Sequence, residues 1–344
     1  MDTRYTPEQA ELQRTARQLA RELGPRAVAD LDDEKRRERL AEAVRDAGWP
    51  LLRQDDGDGV PLTSGVEAAL LAEVLGESVA DVPFAGPVLA GDLARRAGAS
   101  PAPGAVPAFA ADLVDAAVVS GSETEAPLVA VDAGAGVAYV LAPEGDGYRL
   151  ASVEIAGEGD GADLTRAVRV VPAGTACVPV EGQSRLLTPS DLDAWAALGL
   201  ALTSADLVGL MRGVIDLSVA YAQERKQYGV AIGSFQAVQH LLAEAHVLVE
   251  GARSAAAYPA WAVDALAPEE ARAAGRVAKA YCARAARTVC ETAVQVHGGI
   301  GNTWDCMVHV FLRRALLSSQ WFGDDGEMLR QLERTRLGVT DGLS

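Results

Sequence analysis

Near the start of the chain, apolar residues return every three or four positions. Leu12, Ala16, Leu19 and Leu23 fall on one helical face. Thr6, Pro7 and Gln9 stand just before them as N-cap, first-turn proline and the back-reaching amide of a capping box. Gly24-Pro25 stops the run. A charged helix is predicted over about Asp33 to Ala47, with Leu40, Ala43 and Val44 on one face and Gly48-Trp49-Pro50 at its end. The polar loop DDGDGVPLTSG then leads into an apolar helix from about Val66 to Leu75.

Between about 105 and 188 the rhythm shortens. AAVVS, PLVAVDA, GVAYVLAP, YRLASVEI and AVRVVPA are short β-rich runs, punctuated by Gly, Pro and Asp. They predict a meander or a small β-barrel. From 189 the helical period returns. Leu207, Met211, Val214 and Tyr221 mark one stripe, and Phe235, Leu241, Ala245 and Val249 a second. Pro268-Glu269-Glu270 opens a third helix with proline at its first position and acids facing the dipole. Its stripe reads Val277, Tyr281, Val289, Ala293, Val296, and Gly298-Gly299 ends it. The fold class is therefore α+β, with an N-terminal helical domain (1–104), a middle β domain (105–188) and a C-terminal four-helix bundle (189–344).

Composition narrows the partners. The chain has 344 residues and a formal net charge of −17. A surface this acidic repels phosphate backbones and anionic membranes, which argues against nucleic acid as a partner. An anionic ligand then needs local arginines or helix N-termini. Cys177, Cys282, Cys290 and Cys306 form no C-x-x-C pair and read as thiols in a reducing compartment. MDTRYTPEQAELQ has no apolar core of a signal peptide, and no uninterrupted apolar stretch is long enough to span a bilayer. These features set the expectation of a cytoplasmic protein.

Several chemistries are excluded by context. Gly299-Ile300-Gly301 follows a helix, whereas a nicotinamide fingerprint needs a strand before its glycine turn. The three lysines, Lys35, Lys226 and Lys279, sit in no phosphate-loop pattern. His240, His246, His297 and His309 lack metal-ligand spacing, so no metal is expected. No Gly-x-Ser-x-Gly elbow is present for a serine hydrolase.

Two segments remain. RKQYGVAIGSFQAVQH, residues 225–240, joins two predicted helices through a glycine-bearing loop. Arg225 offers a planar cationic fork that suits a pyrophosphate, and Gln236 stands in a helical first turn where free N–H groups favour anions. QVHGGIG, from Gln295, ends a helix on two glycines that let a backbone or phosphate approach. Taken singly, Arg225 is accounted for as a cation at a helix C-terminus, the glycines as a C-cap and Gln236 as a surface amide.

Taken together, and with Leu312-Arg313-Arg314-Ala315 beyond them, these segments closely resemble the acyl-CoA dehydrogenase family. The helix–strand–helix order agrees along the chain, as do GWPLL and LLAEVLGES near its start. The resemblance implies a flavoprotein that removes the α-proton and β-hydride of an acyl thioester, an acyl-CoA by default. FAD would accept the hydride, and electrons would pass to an electron-transfer flavoprotein. It further implies a homo- or hetero-oligomer, a dimer of dimers, with FAD at a subunit interface. Arg225 and Gln236 would reach the pyrophosphate from the neighbouring subunit. Gln295, Val296, His297, Gly298 and Gly299 would hold the adenosine diphosphate part.

The pattern breaks at the catalytic base. That chemistry needs a carboxylate beside the substrate α-carbon. In one branch of the family the base follows the R-R-A helix, and Phe322 stands there; in another it lies on the helix before Arg225, near Gly199. Asp206, Asp305, Asp324 and Asp325 are the neighbouring acids, each also accounted for as a solvated or capping group. The strand region has no tryptophan and no W-x-[IV]-[ST]-[NG] segment of the kind that relatives place against the flavin ring. Three readings stay open: a self-sufficient dehydrogenase with an unrecognised base, a half-site subunit of a heteromeric dehydrogenase, or an acyl-thioester binder without redox activity. A neighbouring coding sequence with the same fold and an intact glutamate would favour the second; failure to bind FAD in any assembly, the third.

Overall fold

The computed structural model of the chain describes residues 4–55, 57–134, 136–155 and 161–337. Four helices come first: α1 (Pro7–Leu23), α2 (Glu34–Asp46), α3 (Gly65–Glu77) and α4 (Ala85–Ala97). Local chemistry sets their starts. The Thr6 side chain accepts from the Gln9 N–H while the Gln9 amide reaches back to the Thr6 N–H, and Ser64 with Glu67 repeats the device on α3. Asp33 caps α2 by accepting from the Arg36 N–H. From Ala68 to Gly76 every residue of α3 is buried, because it lies between α1 and the central helix of the bundle.

The middle strands are β1 (Val106–Phe109), β2 (Leu128–Val131), β3 (Val137–Glu144), β4 (Gly147–Glu154), β5 (Val168–Val171) and β6 (Val178–Pro179). They form one sheet in the order β5-β2-β1-β3-β4-β6. This is more than a sequential meander: β1 pairs antiparallel with β2 but parallel with β3, Val106 opposite Ala138. AAVVS forms only isolated bridges, Phe109 to Ala116 and Val118 to Leu141. The longest pairing, β3 with β4, turns tightly at Glu144–Gly147.

The bundle is α5 (Pro189–Glu224), α6 (Gln236–Ala265), α7 (Pro268–His297) and α8 (Val308–Gln320), followed by α9 (Asp325–Leu337). The 36-residue α5 runs through the centre and touches α3, α6, α7 and α8. The sequence reading found no apolar stretch long enough to span a bilayer. The structure shows that α5 is long and apolar enough by length and composition, and that its apolar window is wholly buried inside the chain. Among its buried polar groups, the Thr203 hydroxyl donates to the Gly199 carbonyl and Asp206 accepts from three neighbours, whereas the Ser204 hydroxyl has no partner among the described residues. Close packing requires Gly209, where an added Cβ would fall 1.9 Å from the Glu73 carbonyl oxygen of α3.

The stripe expected on α7 is partly misplaced. Val289, Ala293 and Val296 are buried, but Val277 and Tyr281 face outward. The inward face instead carries Gly275, Ala278, Lys279, Cys282 and Ala286. All four cysteines are free thiols.

One buried charge cluster bolts the β domain to the bundle. Asp206 of α5 accepts from Arg166 at 2.9 and 3.1 Å, from Arg314 of α8 at 2.7 Å and from Ser318 at 2.7 Å. The three charged side chains are almost fully enclosed. Each lone pair and donor needs such a partner there, because an unpaired buried charge costs several kcal/mol, of order 3–5.

Candidate functional site

The corner after α5 is a rigid hairpin. Arg225 leaves the helix in an extended conformation, and its carbonyl accepts from the Ile232 N–H at 2.8 Å. Two short strands follow, β7 (Lys226–Gln227) and β8 (Val230–Ala231). Tyr228 and Gly229 between them both have left-handed φ, +53° and +83°, the geometry of a type I′ turn. Gly229 adopts it freely; Tyr228 does so under strain and projects its ring almost wholly into solvent, 95% exposed. Tyr228 was not singled out by the sequence reading, although its place beside Gly229 in a two-residue turn is a legible signal.

Helix α6 begins at Gln236 without a side-chain cap: its N-cap is Phe235, and Val238 and Gln239 both return their N–H groups to the Phe235 carbonyl. The earlier N–H groups of the first turn point outward, where they suit an anion. Arg225 and Gln236 are both exposed. Among the described residues the Arg225 guanidinium has no ion pair and no side-chain hydrogen bond.

The second predicted segment ends α7 at the same pole of the bundle. Gly298 caps the helix at φ +63°, and a 3₁₀ turn, Gly298–Asn302, follows. A Cβ added at Gly298 or at Gly299 would meet nothing within 4 Å, so the backbone there is open to an incoming group. Gln295 is exposed beside it. Val296 and His297 face inward instead. His297 Nδ1 lies 2.9 Å from the Ala293 carbonyl, which assigns the proton to Nδ1. Burial holds the imidazole below its ordinary pKa and so favours the neutral form. Its ring stacks on Tyr221 of α5, one turn before Arg225. The two segments are thus joined through side chains, and a cavity of about 300 Å³ beside the junction is lined by Arg26, Tyr221, Glu224, His297, Ile300 and Asp305, among others.

The two positions where a carboxylate base was sought converge on one point. Phe322 is 2% exposed, and a Cβ added at Gly199 would lie 2.1 Å from its Cζ. The ring therefore rests directly on the α5 backbone. The other acids are committed elsewhere. Asp206 is enclosed by Arg166, Arg314 and Ser318; burial raises its pKa and the two guanidiniums more than offset this, so it stays a carboxylate that takes no proton at neutral pH. Asp324 accepts from the Glu327 N–H at 2.7 Å, starting α9, and Asp325 pairs with Arg284 at 3.1 Å. Asp305 is exposed on the cavity wall near His297, far along the fold from Phe322. The sequence reading missed Arg166 and Lys279, which hold the segment around Phe322. Neither carries a periodic or motif signal.

The family model described as "Acyl-CoA dehydrogenase, C-terminal domain" matches residues 199–337. The chain is 33% identical over 172 residues to the acyl-CoA dehydrogenase IpdE2 of Mycolicibacterium smegmatis, a match covering 50% of each chain, so it spans half the length of that curated relative. Its whole fold is similar to a chain in the ChsE4-ChsE5 complex from Mycobacterium tuberculosis, with a TM-score of 0.78, 22% identity and coverage of 99% of this chain and 100% of the other. It is also similar to PigA solved with FAD and proline, with a TM-score of 0.75, 16% identity and coverage of 98% and 99%.

Proposed function

From the match of residues 199–337 to the acyl-CoA dehydrogenase C-terminal domain and the likeness of the whole fold, we propose that the chain is the cofactor-holding, base-less subunit of a heteromeric FAD-dependent acyl-CoA dehydrogenase. One contrast carries this reading. The corner formed by Arg225 and the uncapped start of α6 stands open and uncompensated, whereas both places for a catalytic carboxylate are closed by Phe322 on Gly199.

The residues present fit a dinucleotide. An unpaired planar cation beside free helical N–H groups suits a pyrophosphate. Gly298 and Gly299 leave open backbone, with the Gln295 amide beside it, for the adenosine end. Tyr228 presents an exposed ring on a rigid hairpin next to Arg225 and can stack on a planar group. When bound, FAD supplies the two-electron acceptor of a dehydrogenation. The work of this chain is then binding and orientation: Arg225 and Gln236 hold the anionic midpoint, Gln295, Gly298 and Gly299 hold the nucleotide end, and the Tyr221–His297 stack keeps the two in register. Removal of the α-proton falls to a carboxylate of the partner subunit.

The similarities support each part. IpdE2 is an acyl-CoA dehydrogenase, ChsE4-ChsE5 is a complex of two chains, and PigA was solved with FAD. The substrate is accordingly proposed as an acyl-CoA, the assembly as a dimer of dimers, and the electron acceptor as an electron-transfer flavoprotein.

The test is co-expression with a dehydrogenase-fold chain that has an intact glutamate, followed by the visible spectrum and the FAD-to-protein ratio. The reading expects a colourless, inactive chain alone and a yellow complex bleached by acyl-CoA. Full dehydrogenation by the purified chain alone would overturn it.

A further inference from the structure

Four aromatic rings from three parts of the chain meet around Phe322. Phe109 comes from β1, Trp195 from α5, and Trp321 with Phe322 from the segment after α8. In five of the six pairs the centroids lie 5.1–6.2 Å apart, and all four rings are at most 2% exposed. Phe322 touches Phe109 edge-on at 5.2 Å and Trp195 at 5.1 Å, and its far edge rests on Gly199. Close-packed rings of this kind leave no room for a chain of methylenes.

The backbone is latched in the same place. The Phe322 N–H donates to the Leu113 carbonyl at 2.8 Å, from the bundle side to the β-domain side. Phe322 and Leu113 both have left-handed φ, +67° and +58°, which bulky residues adopt only where the surroundings hold them. Lys279 of α7 donates to the Trp321 carbonyl at 2.8 Å and to the Ser318 carbonyl, fixing the segment from below. Arg166 lies over the Trp321 ring at 5.6 Å while paired to Asp206. Ring contacts, a cross-domain hydrogen bond and a buried cation all act to keep Phe322 where it is.

We infer that the Phe322 ring is this chain's own permanent occupant of its acyl pocket, so that the chain has no acyl-thioester site and every such site in the assembly belongs to a partner with an open pocket and a carboxylate. The inference rests on the proposed function only for the identity of the pocket. Within that reading, the meeting of Phe322 with Gly199, the two positions where the resemblance places a base, marks the place. Gly199 belongs to the same device, since any side chain there would collide with the ring.

The experiment is a pair of titrations with two probes, octanoyl-CoA and benzene, on the chain alone and on the co-purified complex. Octanoyl-CoA leaves the melting temperature of the wild-type chain unchanged and saturates the complex at about one thioester for every two chains. Saturation of the wild-type chain alone, or one thioester for each chain in the complex, overturns the inference. Phe322→Ala opens a dry cavity walled by Phe109, Trp195 and Trp321; benzene then raises the melting temperature of the variant and leaves the wild type unmoved. A folded variant that benzene does not stabilise shows that the ring was not filling an enclosed volume, and overturns the inference. Where the variant does not fold, the wild-type octanoyl-CoA titration decides. FAD content, read in the same complex, separates the two proposals: a flavin-free complex sinks the cofactor reading alone, and a yellow complex whose every chain binds thioester sinks only this inference.

Discussion

The imidazole of His297 stacks on the phenol ring of Tyr221, with centroids 4.3 Å apart and planes 19° from parallel. The contact ties the last residue of α7 to the last turn of α5. Those two helix ends lead directly into the two segments assigned to FAD. The stack therefore sets the spacing between Gly298 and Arg225 without either residue touching the other.

His297→Ala removes the stack. Such aromatic pairs contribute about 0.5–1.5 kcal/mol beyond the area they bury. A loss of about 1–2 kcal/mol in chemical denaturation is expected, along with weaker flavin retention in the complex. His297→Phe should keep both, because the ring does the work and the imidazole is held neutral by burial. Flavin retention that falls in His297→Phe as far as in His297→Ala contradicts this account.

Arg225→Ala tests the anion corner. Arg225 is exposed and has no partner among the described residues, so the apo chain should keep its stability to within about 0.5 kcal/mol. A hydrogen bond to a charged group contributes about 1.5–3 kcal/mol, and FAD affinity should drop by roughly 10–100-fold. Arg225→Lys should recover only part of it, because an ammonium cannot form the planar two-donor contact. Added salt should weaken the wild-type complex more than the alanine variant. Equilibrium dialysis with FAD at two ionic strengths measures all of this.

Asp206→Asn separates structure from catalysis. Removing the carboxylate charge leaves Arg314 buried without an anion and Arg166 with only the more distant Asp132, 3.9 Å from its Nε. Breaking such a pair from one side costs about 3–5 kcal/mol. The expected result is a large fall in melting temperature or insoluble protein. A variant of wild-type stability that has lost activity in the complex would restore Asp206 as the catalytic base.

Much of the helical frame was legible because its signals are local. The capping box of Thr6 and Gln9 and the first-turn prolines of α5 and α7 lie within one turn of the helix start each helps define. Helix α4 was missed because its N-cap, Phe84, has no capping side chain. Strand β1 was missed because Pro107 interrupts four residues whose pairing partners, β2 and β3, lie 20 or more residues away. Val277 and Tyr281 were placed inward because three- and four-residue spacing allows two adjacent stripes, and only the packing of α5, α6, α8 and α9 on α7 selects one. In the site, Arg225, Gln236 and the glycines were readable from two motifs. The meeting of Phe322 with Gly199 was not, since no local pattern encodes a contact between a helix and a segment so distant in sequence.

Lys279 gives the chain a characteristic pH dependence. It is fully buried, donates to two carbonyls, and burial pushes its pKa down from 10.5 to about 7. Between those values the unfolded chain binds a proton that the folded chain has released. Stability contributed by this group therefore rises as pH climbs above 7 and is lost as pH falls through 7. The buried thiols of Cys282 and Cys290, pushed up from 9.0 to about 12, act in the opposite sense above pH 9. The window that isolates Lys279 is therefore pH 7 to 9. Urea midpoints across it should rise in the wild type relative to Lys279→Met, which lacks the titrating group and is less stable throughout because the Ser318 and Trp321 carbonyls lose their donor. Parallel profiles for the two proteins would rule the titration out.

Gly199 and Phe322 should behave as one unit in a double-mutant cycle. Gly199→Ala introduces a methyl group whose carbon falls 2.1–2.5 Å from three ring atoms of Phe322. The ring cannot retreat, because Phe109 and Trp195 back it and the Phe322 N–H is tied to Leu113. Overpacking of this kind costs about 1–3 kcal/mol, and the rigid backing places Gly199→Ala at the upper end. Phe322→Ala alone costs about 3–5 kcal/mol by leaving a cavity. In the double variant the new methyl points into that cavity and fills part of it. Its stability should equal or exceed that of Phe322→Ala, which makes the coupling at least as large as the cost of Gly199→Ala. Additive losses in urea denaturation would mean that the ring and the glycine are not in contact, and the closed pocket would lose its principal support.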